Sequence, residues 1–100
     1  EEGRQSITID VIQRRVAEHY DIRHADMLSK RRPENIAFPR QVAMYLARQL
    51  TDSSLSVIGD AFGGRDHGTV LHACRQVKDR MEVDTNVRQT VSYLEKLLLR

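Results

Sequence analysis

Gly63-Gly64 is the feature that most limits how this chain can fold. Adjacent glycines suit the left-handed backbone that ends a helix at least cost. They separate two segments whose apolar residues recur at helical spacing. Before them, Leu55, Ile58 and Phe62 anchor a short helix over Leu55 to Ala61, entered through the cap-rich run Thr51-Asp52-Ser53-Ser54. After them, Asp66 can cap a longer helix whose buried side reads Val70, Ala73, Cys74, Val77 and Met81. Its other side carries His67, Gly68, Thr69, His72, Arg75, Gln76 and Asp79, all polar or small. A short helix, a glycine turn and a longer helix with an apolar back and a polar front make the helix-turn-helix pattern. In such motifs the second helix enters the DNA major groove and its first turn meets base edges.

The remaining segments are helical too. Thr8 can cap a first helix with Ile9, Ile12, Val16 and Tyr20 inward and Arg14, Arg15 and Glu18 toward water, ending near Asp21. A short helical turn follows around Ala25 to Leu28, and Ser29-Lys30-Arg31-Arg32-Pro33 then breaks the pattern as a basic loop. Pro39 suits the first turn of the next helix, where Ala43, Leu46, Ala47 and Leu50 repeat at i, i+3, i+4 and i+7. Asp84-Thr85-Asn86 opens a last helix striped by Val87, Val91, Leu94 and Leu98. No strand-like alternation, internal repeat or low-complexity segment interrupts this. The expectation is an all-α fold of about six helices, short turns included. Residues 1–100 are expected to form one domain, because two halves would each be too small to bury a core. The first residue is Glu1, so the chain is expected to be a piece of a longer protein.

Composition excludes more than it specifies. No apolar run approaches the roughly 20 residues of a bilayer span, and no basic-then-apolar leader precedes a cleavage site, so a soluble, cytoplasmic, membrane-free protein is expected. The single cysteine, Cys74, has no disulfide or zinc partner and reads as a core residue. His67 and His72 stand five apart, which parts them around a helix and argues against a shared metal. Asp66, His67 and Thr69 have the residue types of a catalytic cluster but share one helical turn, where neighbouring side chains diverge. No glycine loop ending in Lys-Ser or Lys-Thr offers an ATP site. The chain is therefore expected to be neither an enzyme nor a cofactor binder.

Charge points to a different partner. The net charge is only +2, but Lys30, Arg31, Arg32 and Arg40 face one acid, Glu34, within eleven residues, and arginine supplies 13 of the 16 basic residues. Arginine suits bidentate work on phosphates and guanine edges. On the helix, Asp66 can accept from a cytosine amino group, His67 can meet a purine or a thymine methyl, and the Thr69 hydroxyl can bond a phosphate. A helical module whose polar face docks on another protein would share these features. It would bind without the steep salt dependence of a DNA complex.

The residues themselves narrow the choice. The run from Gly59 to Ala73, GDAFGGRDHGTVLHA, resembles the signature of the DNA-binding domain of the bacterial DnaA replication-initiator family. Leu28-Ser29-Lys30-Arg31-Arg32 and Pro39-Arg40-Gln41-Val42-Ala43-Met44-Tyr45-Leu46 match it upstream in the same order, so the resemblance covers the chain from about Ile7 to the last helix. It implies binding to double-stranded DNA at the nonamer DnaA boxes of a replication origin. Position by position, it implies that Arg32 enters the minor groove, that Asp66 and His67 read bases in the major groove, and that a base contact falls at Ser56. It also implies that Lys30, Arg31, Arg40, Gln41, Arg48, Thr69 and His72 hold phosphates, and that Arg65 supports the turn or a phosphate. The fragment is expected to be monomeric, with the ATPase part and assembly on origin DNA belonging to the longer protein. The chain departs from the family at two of these places. Gly68 stands where threonine is usual, and Ser56 where proline is frequent.

Overall fold

A computed structural model describes residues 7–100, and the described residues contain five α-helices and one 3₁₀ turn. They are α1 (Ile9–Tyr20), the 3₁₀ turn (His24–Met27), α2 (Glu34–Leu50), α3 (Leu55–Ala61), α4 (His67–Val83) and α5 (Thr85–Leu99). The all-α expectation is borne out, as are six helical elements when the short turn is included.

Each boundary has a local cause. Thr8, Ser54 and Asp66 accept from the amides of Val11, Val57 and Thr69, three residues on, and Asp84 accepts from those of Asn86 and Val87, two and three residues on. These bonds satisfy amides that lack a partner in the first turn of a helix. Asp21, at φ 58°, closes α1 in the left-handed conformation. Gly63 and Gly64 take φ of 83° and 81° after α3, as their sequence position requires.

One boundary differs from expectation. The helix expected to open near Pro39 starts five residues earlier, at Glu34, and Pro39 lies inside it. Pro33 sets that start: its carbonyl accepts from the amides of Ile36 and Ala37 at 2.9 and 2.8 Å. Proline at 39, the sixth residue of the helix, withholds an amide from the Asn35 carbonyl, and it is buried beside Phe38 and Arg40.

α2 is the central helix and packs on α1, the 3₁₀ turn, α3 and α4. Its single expected stripe is widened by Ile36, Phe38, Val42 and Met44, all buried. Around it close Ile12 and Val16 of α1, Met27, Ile58 and Phe62, Val70, Ala73, Cys74 and Val77 of α4, and Val91, Leu94 and Leu98 of α5. Arg80 of α4 pins the first turns of α2, with its guanidinium 4.1 Å from the Phe38 ring centroid and 3.1 Å from Glu34 Oε2. No described helix is long and apolar enough to cross a membrane.

Candidate nucleic-acid interface

The turn between α3 and α4 is tied down by backbone. The Gly59 carbonyl accepts from the amides of Phe62, Gly64 and Arg65 at 3.1, 3.1 and 2.9 Å. α4 therefore leaves the turn in a fixed direction, with Asp66 Oδ1 accepting from the Thr69 amide at 2.8 Å. That amide holds the Asp66 carboxyl below its usual range, so it stays an acceptor at neutral pH. The cap uses one carboxylate oxygen. Asp66, His67, Gly68, Thr69 and His72 are all exposed, along the face opposite Val70, Ala73 and Val77. Ser56 is exposed at the start of α3.

The basic loop lies against this turn. A Cβ on Gly63 would come within 2.3 Å of the Leu28 carbonyl oxygen, so the two backbones touch where only glycine fits. Arg65 joins them chemically: its guanidinium donates through Nη1 to the Phe62 carbonyl and through Nη2 to the Ser29 carbonyl, the latter at 2.7 Å. Lys30, Arg31 and Arg32 project from the loop and are exposed, and none of their side chains is paired among the described residues.

Arg40, expected on a phosphate, is held inward beneath the loop. It is 7% exposed, and its Nη1 and Nη2 donate to the carbonyls of Asp26 at 3.2 Å and Arg31 at 2.7 Å. Burial, with Arg65 near it, pushes its pKa below the ordinary arginine value. Each terminal nitrogen donates to a backbone carbonyl, so the side chain ties α2 to the 3₁₀ turn and to the loop. Gln41 beside it is half-buried, whereas Arg48 is exposed further along α2, with its guanidinium on the Cys74 side. Burial pushes the Cys74 thiol up, against the pull of that guanidinium. For Arg65, the supporting role is the one its geometry fits.

Two features went unread in the sequence. Gln13, buried on α1, donates to the Ala61 carbonyl at 2.8 Å and pairs with His24 Nε2 at 2.9 Å, linking α1, the 3₁₀ turn and the end of α3. His24, half-buried, is thus tied into the same chain of bonds. Gly59 is the second, and its spacing from Gly63-Gly64 was the only available sign. Among the described residues no group of three or more His, Cys, Asp or Glu is placed to hold a metal.

The family described as the bacterial dnaA protein helix-turn-helix matches residues 9–77. The chain is 56% identical over 94 residues to a chromosomal replication initiator protein DnaA of Methylacidiphilum infernorum, spanning 94% of this chain and 21% of that protein. Against the protein of the same description from Bordetella pertussis it is 56% identical over 92 residues, 92% of this chain and 20% of that one. A crystal structure of a DNA replication initiation factor superposes with a TM-score of 0.82 at 34% identity, over 91% of this chain and 28% of the other. The chain spans about one fifth of the length of the curated relatives it matches.

Proposed function

Because the chain belongs to the bacterial DnaA helix-turn-helix family, we propose that it binds double-stranded DNA in a sequence-specific way, at the nonamer DnaA boxes of a replication origin. α4 enters the major groove with Asp66 and His67 toward base edges, and Ser56 at the start of α3 stands beside it. Arg32 enters the adjoining minor groove, where a guanidinium is attracted to narrow A·T-rich sequence. Lys30, Arg31, Arg48, Thr69, His72 and the half-buried Gln41 hold the phosphates that fix register. Arg40 and Arg65 support the loop from within.

The observation that carries this reading is the joining of two exposed elements of complementary use, the polar first turn of α4 and the cationic loop, by Arg65. A protein-docking face gains nothing from a cationic loop set at a fixed distance from a helix start. A duplex presents grooves and phosphates at such fixed distances. The chain acts as a monomer on one box, and assembly on origin DNA and nucleotide chemistry fall to the remainder of the longer protein.

The test is fluorescence-anisotropy binding to a duplex bearing one box and to a scrambled duplex, both at about 150 mM salt. Preference for the box, lost when Asp66 and His67 are both changed to Ala, supports the reading. Equal binding to both duplexes overturns it.

A further inference from the structure

We infer that Arg65 is a positioning residue for the basic loop: its guanidinium fastens Ser29 to the turn before α4, so that loop and recognition helix are presented to DNA as one rigid unit. The part that concerns DNA rests on the proposed role of Arg32; the brace itself rests on geometry alone.

The loop has little to hold it from within. Its own bonds all exceed 3 Å, from the Ser29 amide and hydroxyl to the Asp26 carbonyl at 3.4 and 3.1 Å and from the Arg31 amide to Ser29 Oγ at 3.3 Å. Two shorter bonds, both at 2.7 Å, reach it from outside. Arg65 takes the Ser29 carbonyl at 2.7 Å from the α4 side, and Arg40 takes the Arg31 carbonyl at 2.7 Å and the Asp26 carbonyl at 3.2 Å from α2. Two partly desolvated cations therefore stand near each other, each bonded to two carbonyls, and the Asp26 carboxylate also acts on Arg40. A guanidinium is the group for this, because its planar fork can span two carbonyls at once, here those of Phe62 and Ser29. The close approach of Gly63 to the Leu28 carbonyl brings the turn near enough for the span to close. Arg32 lies three residues beyond the point that Arg65 holds, and one beyond the point that Arg40 holds. A minor-groove arginine on an unheld loop would lose much of its affinity to the entropy of ordering that loop on binding.

The experiment pairs loop dynamics with a double-variant binding cycle, using Arg65→Met and Arg65→Lys. In the free protein, backbone amide order parameters at residues 29–32 should fall from the rigid range of about 0.85 toward about 0.6 in Arg65→Met, with α1, α2 and α5 unchanged. Arg65→Lys should fall between, since an ammonium cannot hold both carbonyls in the same plane. In binding, Arg32→Ala should cost the parent about 5- to 150-fold in affinity for the box. The same change made on Arg65→Met should cost at most a few-fold. Order parameters unchanged in Arg65→Met overturn the brace. Strictly multiplicative losses overturn the coupling. Loss of helical circular dichroism in both variants also overturns the inference, because Arg65 would then hold the whole fold and not the loop. If the loop loosens but Arg32→Ala alone leaves box affinity unchanged, the brace stands and the minor-groove role of Arg32 falls.

Discussion

Gly59 and Arg65, six residues apart, meet backbone to backbone, so closely that a Cβ on Gly59 would lie 1.9 Å from the Arg65 carbonyl oxygen. That approach lets the Gly59 carbonyl collect the amides of Gly64 and Arg65 and sets the angle between α3 and α4. Gly59→Ala should therefore cost about 1–3 kcal/mol or more, since the obstructing atom is backbone and cannot swing away. Urea denaturation checks this, and an unchanged midpoint would show that the two helices part without penalty.

Gly68, on the same motif, should behave in the opposite way. The nearest atom to a Cβ there is Asp66 Oδ1 at 3.6 Å, an ordinary contact, and its backbone is helical. Gly68→Thr should leave the melting temperature equal or higher while changing which duplex is preferred. Binding measured across a set of single-base box variants checks the second part, and an identical ranking would remove position 68 from base reading.

Arg40 and Arg48 should separate strut from phosphate contact. Arg48→Ala should lower affinity for all sequences alike and flatten the log–log salt slope by about 0.9, the value for one phosphate. Arg40→Ala should instead lower thermal stability and loosen the loop, because it leaves the Arg31 carbonyl without its side-chain donor and removes the tie to the Asp26 carbonyl. Salt titrations and melts of both variants give the answer, and a slope change confined to Arg40→Ala would reverse the assignment.

The cap at Asp66 makes stability depend on pH in a definable direction. The folded pKa lies below the usual 3.8, because the Thr69 amide bonds the carboxylate. The cap's contribution is therefore complete above the unfolded value and disappears as the pH falls through the lowered folded one. Asp66→Asn keeps an acceptor that does not titrate in this range. Melting temperatures of parent and Asp66→Asn should stay parallel from pH 7 to about 5 and diverge below about 3.8, with the parent falling further. Parallel curves down to pH 2 would mean that the cap is not coupled to the fold.

Much of the architecture is local and so could be read from the chain. The caps at Thr8, Ser54, Asp66 and Asp84, the glycine turn and the apolar stripes of α1, α3, α4 and α5 act within a few residues, and the pattern that specifies them is written within the same few residues. The start of α2 was misplaced because Pro33 and Pro39 are both compatible with a first turn, and burial of Ile36 and Phe38 against other helices settles which of them serves. The exposed residues of the site, Lys30, Arg31, Arg32, Asp66, His67 and Thr69, could be singled out by type and position. The direction in which Arg40 and Arg65 point could not. An arginine in a cationic stretch looks alike whether it faces a phosphate or a carbonyl of its own chain, and the carbonyls in question lie 14, 9 and 36 residues away in sequence. The sequence by itself determined the helices, their caps and the order of the helix-turn-helix. Only the tertiary structure decided which arginines are spent on the chain's own backbone and which stay unpaired at the surface among the described residues, because that depends on which backbone acceptors packing brings within about 3 Å of each guanidinium.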